Sequence, residues 1–363
     1  MLIFLSLIVL ITLSVILFMR SPRFGRLPAG ERLERIRKSP NYKNGEFQNI
    51  SFTPQLVEGI SMFKIMRKFF FGKSKSSKPP YPLPSKKADL LHLDPNRNIL
   101  VWFGHSSYII QVDGKKILVD PVFSGAASPI SFTTRSFAGS DVYTTDDFPE
   151  IDYLFITHDH WDHLDYRTIV KLKPKVKKVI TSLGTVAHLE HWKYDTAIII
   201  EMDWDEVIEL DNGFIVTTKP ARHFSGRTFR RNQSLWNSFV LQTPSMKLYL
   251  GGDSGYDIHF KEIGEKYGPF DLAILECGQY NEYWKYIHFM PEEAVQAGID
   301  LKAKRILPVH WGKFSLSLHD WDEPIKRITK EAEKRGMPIL YPMIGEEVDL
   351  DHPGQSFKWW ETI

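Results

Sequence analysis

From residue 98 onward, apolar residues either alternate with polar ones or run unbroken over a few positions, and both textures predict β-structure. NILVWFGHSSYIIQVDGKKILVDP (98–121) divides into an apolar run, an alternating set of Tyr108, Ile110 and Val112 closed by the Asp113-Gly114 hairpin signal, and a stretch from Ile117 to Val119. DYLFIT (152–157), VKKVITS (176–182), TAIII (196–200), FIVTTKP (214–220), SFVLQT (238–243), KLYLGGD (247–253), DLAILE (271–276) and KRILPVH (304–310) continue the series. Between them, helical patterns cover Asp165 to Leu172, Thr185 to Trp192, Tyr256 to Tyr267, Pro291 to Leu301 and Glu323 to Arg335. The fourth opens on Pro291-Glu292-Glu293, a favourable first turn. Strands interspersed with helices at this density predict α/β layering. No internal period suggests a solenoid.

The N-terminal part has a different texture. Leu2 to Met19 (LIFLSLIVLITLSVILFM) carries no charge. As a helix it would span roughly 27 Å, close to the hydrocarbon thickness of a bilayer, so residues 1–20 are expected to form a transmembrane anchor. No basic stretch precedes it and no A-x-A-like site follows, which favours an uncleaved single-pass anchor over a signal peptide. Arg20, Arg23, Arg26, Arg32, Arg35, Arg37 and Lys38 follow the segment, and this bias would keep the catalytic domain cytoplasmic. Residues 21–94, rich in Arg, Lys, Pro and Ser, read as a basic tether that drapes over the main domain at 95–363. Within the tether, residues 61–82 interleave Phe63, Met66 and Phe69 to Phe71 with Lys64, Arg67, Lys68, Lys73, Lys75 and Lys78. Two readings stand: a stretch lying at a membrane surface, or a short helix packing its aromatics on the domain with its lysines in water.

Composition narrows the function classes. Of 363 residues, 43% are hydrophobic and 25% charged, an ordinary globular balance that permits a sizeable core. Lys and Arg number 46 against 44 Asp and Glu, so the chain lacks the basic field of a nucleic-acid binder. The lone cysteine, Cys277, rules out an intrachain disulfide and leaves any transition-metal site to His and carboxylate donors.

Those donors recur where strands run out. THDHWDHLD (157–165) places three histidines and three aspartates directly after an apolar run; His223 follows FIVTTKP, Asp253 ends KLYLGGD, and His310 closes KRILPVH. A buried cluster of carboxylates and imidazoles is strongly penalised unless an opposite charge compensates it, and a metal ion does so most simply. H-x-H-x-D-H can divide its donors around two metals. Two other arrangements do not persuade. GDSGY (252–256) has no accompanying base arrangement for a serine protease, and His188 and His191, at i and i+3 of a predicted helix, read as surface or packing residues.

With WFGHSS (102–107), VDPVFS (119–124), RHF (222–224), GGDSGY (251–256), EIGEKYGPFDLA (262–273), HFMPEEAV (288–295) and PVHWGKF (308–314) added to THDHWDHLD, the chain resembles the metallo-β-lactamase fold superfamily. Within it, the likeness is to the N-acylphosphatidylethanolamine-hydrolysing phospholipase D family, over about Ile99 to Arg335. The resemblance implies an αβ/βα sandwich holding two zinc ions. His158, His160 and His223 would ligate one, Asp162, His163 and His310 the other, with Asp253 bridging. Such a pair lowers the pKa of a shared water and clamps the oxygens of a phosphodiester displacement. The resemblance further implies that Asp159 orients His ligands or the attacking oxygen, that Asp165 partners a ligand imidazole, and that His288 stands beside the substrate phosphate; the plainer readings are a loop carboxylate, a helix N-cap and a neighbour of the N-cap ahead of the Pro291 helix, respectively. His105 is expected near the site without binding metal, and Arg222 could pair with a substrate phosphate or a nearby carboxylate. The expected function is a membrane-anchored dizinc phosphodiesterase that takes a phospholipid to phosphatidic acid and an N-acylethanolamine. Membrane and phospholipid are its expected partners, and a homodimer is implied by likeness alone. Hydrolysis of a lactone or other small ester is the alternative reaction for the same metals, and a noncatalytic metal-stabilised protein the third reading.

Overall fold

The computed structural model describes residues 2–354 and 356–363, and the side chains of all of these but Leu2 and Phe70. In chain order the elements are α1 (Leu2–Met19), α2 (Gly30–Arg37), β1 (Tyr42–Lys43), β2 (Glu46–Phe47), α3 (Met62–Phe71), β3 (Ile99–Trp102), β4 (Tyr108–Val112), β5 (Lys115–Val119) and β6 (Ile151–Ile156). They continue with α4 (Tyr166–Leu172), β7 (Val176–Ser182), α5 (Val186–His191), β8 (Ile199–Met202), β9 (Val207–Glu209), β10 (Ile215–Pro220), β11 (Asn237–Gln242) and β12 (Lys247–Leu250). The last are α6 (His259–Tyr267), β13 (Leu272–Glu276), α7 (Pro291–Asp300), β14 (Ile306–Val309), α8 (Glu323–Arg335) and β15 (Glu347–Asp349).

Apart from the small β1–β2 hairpin, the strands form a seven-stranded sheet, ordered β15-β3-β4-β5-β6-β7-β8, and a six-stranded one, ordered β14-β13-β12-β11-β10-β9. In each, one half is antiparallel and the other parallel: β5 to β8 run parallel in the first, β12 to β14 in the second. Parallel neighbours need a crossover, and α4 through α7 supply four of them. The sheets pack face to face. Leu100, Trp102, Ile110, Ile117 and Phe155 of one meet Val216, Phe239, Leu241 and Leu250 of the other, with Phe155 edge-on to Phe239 at 5.1 Å. Outside the first sheet, Ile109, Leu118, Leu154 and Ile156 lie under Ile169, Leu172 and Leu189 of α4 and α5. Outside the second, α6, α7 and α8 contribute Phe260, Ile263, Val295, Ile325 and Ile328 to the main core. Burial on both faces is why these strands read as unbroken apolar runs. β9 and β15 escaped the sequence pattern because they are three-residue edge strands, too short to show a period and only partly buried.

The expectation of an N-terminal membrane span is corrected. α1 forms, but among the described residues no helix is long and apolar enough to cross a membrane. Its 18 residues reach about 27 Å where a hydrocarbon core needs about 30 Å. The chain then turns at once: Ser21 N–H bonds back to Phe18, and the Trp192 indole donates to the Pro22 carbonyl at 2.6 Å, tying the turn to the domain. With the span goes the single-pass localisation and the cytoplasmic placing of the catalytic domain that depended on it.

The following segment is packed into the protein. Phe24, Ile36, Phe47, Ile65, Leu83 and Leu90 are all buried, and the Arg32 guanidinium reaches the buried Glu201 at 2.6 Å. On α3, capped by the Ser61 hydroxyl, Ile65 is buried and Phe69 stacks on Trp284, whereas Phe63 stays 78% exposed. Lys64 and Lys68 lie over the Tyr283 ring.

Candidate metal centre

The strand directions bring the donors together. β5 and β6 are parallel, and β10, β12, β13 and β14 share one direction because β11 runs against both of its neighbours. Their C-terminal ends therefore open onto one edge, which carries Asp120, the 158–163 loop, His223, Asp253, Glu276 and His310. Asp120 and His310 there adopt left-handed backbone, at φ 41° and 68°, as does His105 at φ 54°. Non-glycine residues adopt this conformation at a cost, which suggests positions held for a purpose. Reciprocal backbone bonds hold two of them: His105 N–H to the Trp311 carbonyl at 2.8 Å and His310 N–H to the His105 carbonyl at 2.9 Å. Gly278 permits the close approach, since a Cβ there would fall 2.0 Å from the His310 carbonyl oxygen.

Among the described residues three groups of donor atoms result, each within 4.8 Å: His158, His160, His223 and Asp253 in one, His105, Asp162, His163 and His310 in another, and Asp253, Glu276, His288 and His310 in a third that shares members with both. All seven sequence-predicted ligands fall in the first two, together with His105. Asp253 Oδ2 lies 3.1 Å from His163 Nε2, 3.3 Å from His310 Nε2, 3.7 Å from His223 Nε2 and 3.8 Å from His158 Nε2, which puts it between the groups.

The outer ring nitrogens fix which lone pairs face inward. His223 Nδ1 lies 2.8 Å from the Ile287 carbonyl, His163 Nδ1 2.8 Å from Asp120, and His310 Nδ1 3.0 Å from Glu276. The Thr157 hydroxyl donates to Asp120 at 2.6 Å, so at 2.9 Å it accepts from His158 Nδ1. Each of these partners accepts, so Nδ1 holds a hydrogen in all four rings; in His158 and His223 Nε2 is then bare, while His163 and His310 turn Nε2 toward the carboxylates of Asp162 and Asp253, where a cation could take the place of the second proton. Yet His158 Nε2 and His223 Nε2 stand 2.9 and 3.1 Å from His160 Nδ1. One proton on His160 cannot satisfy two lone pairs in separate directions. His163 Nε2 and Asp253 Oδ1, both buried, have no hydrogen-bond partner at all. Three nitrogens about 2.0–2.1 Å from one zinc would stand roughly 3.3 Å apart, near the spacing seen here. The donor set fits a pair of metal ions.

Electrostatics agree. Burial pushes His158 and His223 well below the usual histidine range and His160 to about 4, keeping them neutral donors. Burial acts on His310 too, but Asp253, Asp162 and Glu276 hold it up at about 10, and His163 is raised by Asp253, Asp162 and Asp120. Asp162 and Asp253 lose solvation on burial, yet the surrounding imidazoles hold both well below the carboxylate range. Without a cation, the protein has to keep protons in this nest.

The neighbouring residues singled out in the sequence are placed as follows. Asp159 accepts from the Gly226 N–H at 2.6 Å and from His188 Nε2 at 3.1 Å, so its carboxylate is not spent on a ligand imidazole; Asp120 has that role, toward His163. Asp165 caps α4 and accepts from the Ser124 N–H and the Thr168 hydroxyl. His188 is buried, and its Nδ1 accepts from the Arg26 N–H. Arg222 pairs with a nearby carboxylate, Asp257, at 3.7 Å and also donates to the Phe52 and Tyr256 carbonyls and the Thr53 hydroxyl. His105 bonds Asp162 at 2.9 Å. His288 turns Nδ1 to Glu276 at 2.8 Å. Asp120 and Glu276 were not read from the sequence.

A cavity of about 400 Å³ opens over the centre, with His160, Asp162, His223, Asp253, His288 and His310 lining it on the metal side. Leu56, Met62, Phe69, Trp284, Ile287 and Leu316 line its apolar wall. The covering segment, through Leu56, Met62 and Phe69, thus builds part of the site.

Comparison with known proteins follows the same lines. A β-lactamase superfamily domain matches residues 115–311. A protein of uncharacterized function from Mycobacterium tuberculosis is 35% identical over 327 residues, covering 89% of this chain and 88% of that one. An N-acyl-phosphatidylethanolamine-hydrolyzing phospholipase D of Caenorhabditis elegans is 33% identical over 242 residues, 61% of this chain and 65% of its own. The solved structure of Igni18, a metallo hydrolase from Ignicoccus hospitalis, superposes with a TM-score of 0.55 at 22% identity, covering 70% of this chain and 98% of the other, which speaks to the fold.

Proposed function

The chain belongs to the β-lactamase superfamily, and on that footing we propose that it is a metal-dependent hydrolase of the phospholipase D type, acting on N-acylphosphatidylethanolamine-like phospholipids. The observation that carries the reading is the convergence of inward-facing lone pairs on Asp253 beneath a cavity with an apolar wall. His158, His160 and His223 would hold one ion, Asp162, His163 and His310 the other, and Asp253 both. When bound, such a pair supplies electrophilic activation of phosphoryl oxygens and acidifies water; zinc suits the His-rich donor set.

The chain's own residues bind and orient the substrate. His288 lines the cavity with Nδ1 fixed, leaving Nε2 to hydrogen-bond a phosphate oxygen or the leaving oxygen of the N-acylethanolamine. Phe69, Trp284 and Ile287 offer carbon surface for acyl chains and exclude water around the scissile bond. Relatives that act on N-acylated phospholipids support this substrate class.

The test is product analysis by mass spectrometry on vesicles of defined N-acylphosphatidylethanolamine, beside a lactone arm, each with and without chelator. Chelator-sensitive release of phosphatidic acid and N-acylethanolamine is expected. Release of ethanolamine without an acyl amide, or turnover of the lactone alone, would contradict the proposal.

A further inference from the structure

Glu276 ends β13 and is 1% exposed. Its Oε1 accepts the Ser254 N–H at 2.6 Å, one residue beyond Asp253. Its Oε2 accepts twice, from His288 Nδ1 at 2.8 Å and from His310 Nδ1 at 3.0 Å. The two imidazoles pack nearly parallel, centroids 5.1 Å apart at 24°, as if hinged on that oxygen. One buried carboxylate thus fastens the piece of chain after Asp253, the ring that closes β14 and the ring beside the cavity.

We infer that Glu276 is a positioning residue that sets the facing of His288 and His310 together, coupling substrate contact to metal holding through one carboxylate oxygen. This rests on the proposal that His310 holds metal and His288 meets substrate. Three N–H groups point at Glu276, and a carboxylate, with acceptors at both ends, satisfies all of them. A glutamine cannot. If its carbonyl faces the imidazoles, its amide N–H₂ meets the Ser254 N–H, a backbone donor that cannot change. If its amide faces the imidazoles, at least one ring must give up its Nδ1–H, and at His310 that leaves the hydrogen on the Nε2 that would face the metal. Residues that hold ligand imidazoles in this way typically contribute 10- to 100-fold to metal affinity.

The full-length protein is compared as wild type, Glu276→Gln, His288→Gln and the double variant. Three measurements are made: imidazole ¹⁵N NMR of the metal-free forms, zinc affinity by competition with a chelating dye, and kcat and KM of the zinc-saturated forms on bis-p-nitrophenyl phosphate. In the wild type both rings are expected to carry Nδ1–H toward Glu276, and in Glu276→Gln at least one is expected to lose it. Zinc affinity is expected to fall about 10- to 100-fold in Glu276→Gln. Its kcat is expected to fall at least about tenfold with KM little changed, and the double variant to lose less than the product of the single losses. Glu276→Asp, which keeps both acceptor oxygens, is expected to recover part of the zinc affinity. Retained Nδ1–H on both rings with unchanged affinity would overturn the inference, as would fully multiplicative losses or an Asp variant no better than Gln. If the wild type proves inactive on phosphodiesters while Glu276→Gln still shifts the ring hydrogens and weakens zinc, the role of Glu276 stands and the substrate reading falls.

Discussion

Asp253 and Asp120 make different demands on the same cluster. Asp253 stands between both donor groups, so Asp253→Ala is expected to remove metal from the protein and lower turnover by at least about a thousandfold, measured by metal content and initial rates. Asp120 touches His163 and Thr157 without joining either donor group, so Asp120→Asn is expected to weaken zinc about 10- to 100-fold while the variant still folds. Asp159 is a different case. Burial would raise its carboxyl, but the His188 hydrogen bond and the nearby Arg227 guanidinium hold it at about 2, below the roughly 3.9 of an unfolded chain. A depressed carboxyl stabilises the fold above its unfolded pKa, and the contribution is lost as pH falls through about 4 toward 2. The stability gap between wild type and Asp159→Asn in urea should therefore be on the order of 2–3 kcal/mol at pH 6 and should close toward pH 2; a gap independent of pH would contradict the pairing. At this scale the seven proposed ligands were legible because they cluster or end apolar strands. Asp120 and Glu276 lie at strand ends too, yet each is a single acid whose imidazole partners lie 43 residues away for Asp120 and 12 and 34 for Glu276, pairings that spacing does not reveal.

Among the elements, α3 links the covering segment to the site. Met62 and Phe69 line the cavity, and Phe69 stacks on Trp284 across the mouth. Phe69→Ala removes apolar wall without touching a donor. It is expected to raise KM for a long-chain N-acylated phospholipid about tenfold and to leave kcat/KM on bis-p-nitrophenyl phosphate within about twofold; equal effects on both substrates would place Phe69 outside lipid recognition. The helical patterns of α4 through α8 and the apolar strand runs were readable because they are buried and periodic. α1 was readable as a helix, but among the described residues no helix is long and apolar enough to cross a membrane. The tether's contribution to the cavity was not readable, because Leu56, Met62 and Phe69 meet residues more than 200 positions away at Trp284 and Ile287, and their own spacing says nothing of that contact.

At the scale of the molecule, two half-parallel sheets converge their strand ends on one edge, and the centre is a junction of both. Asp120 and His163 come from the first sheet, Asp253, Glu276 and His310 from the second, so bound metal should hold the layers together. Ligands that bind the native state alone stabilise it by mass action. Chelation is accordingly expected to lower Tm by at least several degrees, and zinc to restore it. The layering followed from the alternation of strands and helices, whereas the pairing order, in which β15 returns from the C-terminal region to flank β3, depends on contacts about 250 residues apart that no local pattern records.

The most direct test is the metal content of the purified full-length protein, measured by elemental analysis after dialysis without chelator. Two transition-metal ions per chain are expected, falling to one or none in Asp253→Ala, with activity tracking occupancy. A wild-type protein that carries none, takes up none from zinc solution and turns over its substrate in chelator would contradict the dimetal centre outright.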